Sequence, residues 1–151
     1  MHYGTTRRFG KWKGENIMKQ KINPEGYVKP AGPYTNVIKV SSPEEMLFLS
    51  GVSANGDNGE IVGRGDILEQ TKQIVKNITT ELNAVGAGPE NVVMTTTYVL
   101  ADHMDEFLMT GAASVLFEGL DNPADSLIGV ASLAGMRYGA LIEVTAIAVI
   151  N

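Results

Sequence analysis

The C-terminal stretch Leu141-Ile142-Glu143-Val144-Thr145-Ala146-Ile147-Ala148-Val149-Ile150 decides the fold. Its side chains alternate with a period of two, as in a β-strand. One side carries Ile142, Val144, Ala146, Ala148 and Ile150 and suits packing beneath helices. The other carries Leu141, Glu143, Thr145, Ile147 and Val149, and it too is largely apolar. A sheet face of that composition is not expected to stand in water. Its simplest cover is another subunit, so a homo-oligomer is expected.

Working back from this strand, Ala140–Ile150, the chain reads as alternating strands and helices. Tyr34–Val40 and Met46–Ser50 read as short strands joined by the turn residues Ser41-Ser42-Pro43-Glu44. Asn55–Gly59 is a loop, with Glu60–Val62 as a candidate short strand after it. Asp66–Val85 is the strongest helix: Asp66 caps it, Glu69 completes the box, and Ile67, Thr71, Ile74, Ile78, Leu82 and Val85 recur at helical spacing. Gly86 and Pro89 stop it. Val92–Leu100, rich in β-branched residues, is a strand. Asp102–Phe117 is a second helix, and Ser126–Leu133 is the strand before the last. The expected fold is α/β: a two-layer sandwich with a mixed six-stranded sheet and two helices on one face.

The 151 residues suffice for one domain with a sizeable core. The absence of Cys excludes disulfides, thiolate metal sites and a cysteine nucleophile. A formal net charge of −5, with only scattered Lys and Arg after residue 19, argues against nucleic acid as a partner. No apolar run is long enough to span a bilayer and no signal-peptide core opens the chain, so a cytoplasmic location and no membrane partner are expected. Residues 1–17 stand apart, with Arg7, Arg8, Lys11 and Lys13 against Glu15. They read as a dispensable basic extension, as a docking arm, or as sequence upstream of a true start at Met18. Residues 18–151 then form the single domain.

Several segments together resemble the Rid (reactive intermediate deaminase, YjgF-like) family. Gly32-Pro33-Tyr34 is similar to its opening motif and Phe48-Leu49-Ser50-Gly51 to the end of its second strand. Gly63–Ile78 resembles its first-helix entry, and Val92–Tyr98 its fourth strand. Asn122-Pro123-Ala124 matches the loop before its fifth strand, and Glu143–Val149 resembles its C-terminal signature. The resemblance implies a chorismate-mutase-like fold, a homotrimer, and small-molecule clefts between adjacent subunits. It implies hydrolysis of enamines and imines without a metal or organic cofactor.

Carried over residue by residue, Tyr34 matches the cleft tyrosine, Ser50 and Gly51 the serine–glycine wall, and Glu143 the glutamate that positions or activates water. The family's arginine clamp for a substrate carboxylate falls on Asp125. An asparagine of the second helix falls on Gly111, and a position often held by cysteine falls on Leu127. An arginine offers carboxylates a planar fork of donors. A like charge at Asp125 repels them, so inheritance of 2-iminoacid deaminase activity is not expected.

The residues taken alone leave alternatives. Glu143 is a general acid/base facing a cleft, or a carboxylate satisfied across a subunit boundary. Asp125 pairs with Glu143 as two carboxylates at one site, or caps a turn beside Ser126 and faces solvent. Tyr34 bonds a ligand or packs an interface. Ser50 lines a wall and is not a nucleophile, because no His or elbow motif accompanies it. His103, beside Asp102 and Asp105, reads as a solvated helix start in preference to a metal ligand. Arg137, in a turn, reads as exposed or as a displaced positive charge for the cleft. Two main functions remain: a divergent hydrolase of a small imine, enamine or related amino compound with Glu143 activating water, or a non-enzymatic trimeric binding or interaction module that has lost catalysis. A third, weaker option is the ribonuclease activity associated with some members of the resembled family, which the acidic balance argues against.

Overall fold

The computed structural model describes residues 19–150, so the basic segment 1–17 lies outside the described residues. In chain order the strands are β1 (Lys19–Ile22), β2 (Val37–Val40), β3 (Glu45–Val52), β4 (Val92–Leu100), β5 (Ala124–Val130) and β6 (Ile142–Ile150). The helices are α1 (Ile67–Asn83), α2 (Met104–Met109) and α3 (Ala112–Gly119). The α/β class and the helix-covered sheet are as expected. The expected single six-stranded sheet is instead a four-stranded sheet, ordered β3-β6-β4-β5, and a separate β1-β2 pair.

Within the larger sheet β6 runs antiparallel to β3 and β4, while β4 and β5 are parallel. The two sides of β6 separate as its alternation predicts from Ile142 to Ala148, whereas Leu141 and Val149, read on the open side, are buried. Ile142, Val144, Ala146 and Ala148 are buried beneath the helices with Val92, Val99 and the α1 residues Ile67, Ile74, Ile78 and Leu82. Each of the buried Val, Ile and Leu side chains contributes about 1.5–3 kcal/mol. The opposite face is uncovered: Phe48 of β3 is 72% exposed and Met46 is 54% exposed. A phenylalanine that open, in mid-strand, belongs to a surface awaiting a partner.

Asp66 caps α1 as expected, the Glu69 amide donating to its Oδ1 at 3.0 Å. The box is not completed: the Asp66 amide donates to Gly63 O at 2.9 Å and the Glu69 carboxylate pairs with Lys72 at 2.7 Å. The buried Gln70 ties the helix to the chain entering β6. It donates to the carbonyls of Gly63 and Gly139 at 3.1 and 2.8 Å, and accepts from the Leu141 amide at 2.9 Å. The expected second helix is interrupted: a 3₁₀ turn at Ala101–His103 precedes α2, and Gly111 at φ 86° separates α2 from α3. Only glycine takes that left-handed conformation without strain. The candidate strand at Glu60–Val62 reduces to one bridge, Asn55 to Ile61, because Gly63 and Gly65 at positive φ turn the chain away.

Strand β1 was not expected. Its polar sequence Lys-Gln-Lys-Ile carries no strand signal, and side chains hold it in place. Lys19 and Lys21 both reach Asp121, each at 2.8 Å. Burial pushes the Asp121 carboxyl upward, but the two lysines outweigh it and hold it below the usual range.

Candidate active site in two halves

The segment before β2 and the turn before β5 are stitched together. The Thr35 amide donates to Pro123 O at 3.0 Å and its hydroxyl to Asn122 O at 2.7 Å. Asn122 Nδ2 donates to Pro33 O at 2.7 Å. Asp121 and Asn122 both take positive φ to make this turn, 60° and 52°, a conformation that Asp and Asn tolerate better than most residues. The result brings Tyr34 beside the first residues of β5.

Tyr34 meets Phe117 edge to face, with ring centroids 6.2 Å apart. Tyr34, Phe117, Leu108, Asp125 and Leu127 line a cavity of about 420 Å³. A neighbouring cavity of about 620 Å³ shares Tyr34 and Asp125 and extends past Tyr27 and Asn36. Three of the sequence-derived candidates, Tyr34, Asp125 and Leu127, therefore come together.

Asp125 neither caps a turn nor faces open solvent, which corrects that expectation. It is the second residue of β5, in parallel register with Thr95. Its Oδ1 accepts from the buried hydroxyls of Thr95 and Thr97 at 2.7 and 2.8 Å. Burial pushes the Asp125 carboxyl above its ordinary range, opposed by those two hydrogen bonds. No described residue donates to Oδ2. The two threonines were missed in the sequence, where they read only as β-formers.

The second half lies on the other face of the sheet. Glu143 of β6 is opposite Tyr98 of β4, on the uncovered side. Its carboxyl leans across to β3, where the register shifts between Leu49 and Val52. A Cβ built on Gly51 would sit only 2.7 Å from Glu143 Cδ, so glycine is required there for Glu143 to occupy this position. Ser53 Oγ reaches Glu143 Oε2 at 3.4 Å, at the long end of hydrogen bonding. Ser50 is exposed, and alternation from Met46 and Phe48 places it on the same open face. Ser53 and Tyr98 are the residues of this half that sequence reasoning missed.

The two carboxylates do not form a pair within one chain. Thr95 and Thr97 sit opposite the core residues Ala146 and Val144, so Asp125 faces the helix side while Glu143 faces away. The alternative reading, an Asp125–Glu143 dyad, is excluded inside a protomer. Arg137 does not replace the missing guanidinium in its own chain. It stacks on Tyr138, 4.6 Å from the ring centroid, and lines neither cavity that Asp125 lines. His103 bonds Glu106 at 3.0 Å. No cluster of three or more metal-binding side chains occurs among the described residues. No helix among them is long and apolar enough to cross a membrane.

A four-stranded sheet under helices, with candidate polar residues on each face, defines a small α/β protein whose candidate site residues are divided between two surfaces. The chain belongs to the Rid/RutC family: residues 25–150 match the family model described as Endoribonuclease L-PSP. A RutC family protein of Pyrococcus abyssi is 38% identical over 133 residues, covering 87% of this chain and 98% of that protein. The 2-iminobutanoate/2-iminopropanoate deaminase of Mus musculus is 31% identical over 135 residues, covering 89% of this chain and 93% of that protein. In three dimensions, a Rid family protein of unknown function from Yersinia pestis superposes with a TM-score of 0.76 at 34% identity, covering 89% of this chain and all of that one. The fold is thus the chorismate-mutase-like fold of this family.

Proposed function

We propose that this protein is a Rid-family hydrolase that converts a small imine or enamine to a carbonyl compound and ammonia, with Glu143 activating the water. In this reading it works in the cytoplasm as a homotrimer, without metal or organic cofactor, and residues 18–151 suffice for activity. The deaminase name of the mouse relative supports the reaction class. The observation that carries the reading is Glu143, held across Gly51 on an open face rich in exposed apolar side chains. Packing that face against a second subunit exposes Glu143 to a neighbour's cavity instead of to its own.

The chemistry asks little of the protein beyond a base and a confined water. Water adds its oxygen to the carbon of a protonated imine and gives one proton to the Glu143 carboxylate, forming a neutral carbinolamine. Glu143 returns that proton to nitrogen. The C–N bond then breaks, the carbonyl forms, and the departing ammonia takes the hydroxyl proton. Glu143 ends as it began. Tyr34 and Ser50 orient the substrate in this scheme, and Gly51 supplies the space the carboxylate occupies.

The test is ammonia release from freshly generated imines, with and without carboxylate groups, by wild type and Glu143→Ala. Loss of the catalysed rate in the variant supports the reading. An unchanged rate removes Glu143 from the mechanism. The negative charge of Asp125 favours a second reading, a binding module without catalysis. Inertness toward every imine, together with saturable binding of a small ligand, establishes that one instead.

A further inference from the structure

Tyr34 lines three cavities: one of about 590 Å³ carries Glu25 and Lys29, and the two that Asp125 also lines carry a single charge. Among the residues lining the 420 Å³ and 620 Å³ spaces, Asp125 alone carries a formal charge. It is not a loosely placed surface acid. Two buried hydroxyls fix Oδ1 from beneath, which leaves Oδ2 as the oxygen without a donor among the described residues. The rest of the smaller cavity is mostly apolar, formed by Pro33, Leu108, Phe117 and Leu127.

We propose that this cavity selects a cationic nitrogen compound lacking a carboxylate, a protonated imine or amidine-like group on a small apolar body, with Asp125 as its counter-ion. Such a group brings a positive charge to walls that carry none, and an N–H donor to Oδ2 of Asp125. Its apolar body fits against Tyr34 and Phe117. A carboxylate-bearing substrate meets a partly desolvated like charge, and no cation lines either of the two cavities; Lys29 lines the adjoining one. The first turn of α3 reaches the same space through Ala113 and Ser114. Its helix dipole offers about half a positive charge at most, which does not cancel a full negative one. As the substrate of the hydrolase proposed above, the compound is an uncarboxylated iminium, so the class of reaction that supplies it is oxidation of an amine and not of an amino acid. This inference rests on that hydrolase reading for the reaction, but not for the binding preference.

The preference is testable with stable probes of one shape. Calorimetric titration of the full chain with benzamidinium, benzamide and benzoate compares a cation, a neutral group and an anion. Wild type is expected to bind benzamidinium at least about tenfold more tightly than benzamide, the scale of one charge-assisted hydrogen bond. Benzoate should bind most weakly, and Asp125→Asn should erase the cation's advantage. Benzoate binding as well as benzamidinium overturns the proposal, and this comparison needs no variant to fold. A cation preference that survives Asp125→Asn also overturns it. Ammonia release separates the two levels. Faster hydrolysis of 2-iminoacids than of uncarboxylated imines contradicts the substrate class while leaving the hydrolase standing. Inertness toward all imines with the cation preference intact removes the hydrolase and leaves the binding site.

Discussion

Glu143 and Asp125 are both carboxylates on neighbouring parts of one sheet, yet they are positioned by opposite means. Glu143 stands on the uncovered face, placed by an absence: Gly51 has no Cβ, and the side chain fills that gap. Asp125 faces the helix layer and is placed by presence, two threonine hydroxyls bonding one of its oxygens. The first arrangement leaves a half-buried carboxylate on the open face. The second fixes an oriented, partly desolvated charge. Proton transfer suits the former and ligand recognition the latter, and the sheet keeps the two apart in a single chain.

This contrast predicts a graded set of effects. The largest is expected from Glu143→Gln. If Glu143 is the base, the rate of imine hydrolysis should fall by about 10²–10⁴-fold with little change in thermal unfolding. Gly51→Ala attacks the same half indirectly. Displacing the carboxyl by about 1 Å should cost on the order of 10²-fold in rate. In a Glu143→Ala background the same substitution should relieve its clash, which a double-mutant cycle in stability detects.

The Asp125 half should respond through stability. Thr95→Val removes a buried donor from a carboxylate and should destabilise the protein by about 1–3 kcal/mol, measured by denaturant unfolding. Asp125→Asn keeps an acceptor for both threonines and removes the buried charge. Burial raises the Asp125 pKa in the folded state. The folded protein therefore holds that proton more tightly than the unfolded chain, and wild-type stability declines as pH rises from the unfolded to the folded pKa. The variant should melt higher than wild type near neutral pH, the smallest effect of the series. That advantage should vanish as pH falls to the ordinary carboxylate range. A gap that widens on acidification contradicts the burial of Asp125.

Much of the fold was legible because periodicity reports burial directly. The alternation from Ile142 to Ala148 separated the core from the open face, and the spacing from Ile67 to Leu82 marked α1 together with its Asp66 cap. Strand β1 was not legible, since lysine contacts to a residue about 100 positions away hold it. The break at Gly111 was hidden because an apolar stripe continues through it from Phe107 to Leu116. At the site, similarity in sequence named Tyr34, Ser50, Gly51, Asp125, Leu127 and Glu143. It did not tell which face each occupies across β4. The register linking Asp125 to Thr95 and Thr97 is a tertiary fact that no local pattern encodes.

The divided site is tested most directly by subunit complementation. Glu143→Gln and Asp125→Arg, each disabled toward an uncarboxylated imine, are unfolded together, refolded as a mixture, and assayed for ammonia release. If one chain's Glu143 serves a neighbour's Asp125 cavity in a head-to-tail ring, about a quarter of the sites in random hybrids regain both intact halves, and activity returns. A mixture no more active than its separate parents contradicts a site shared between subunits.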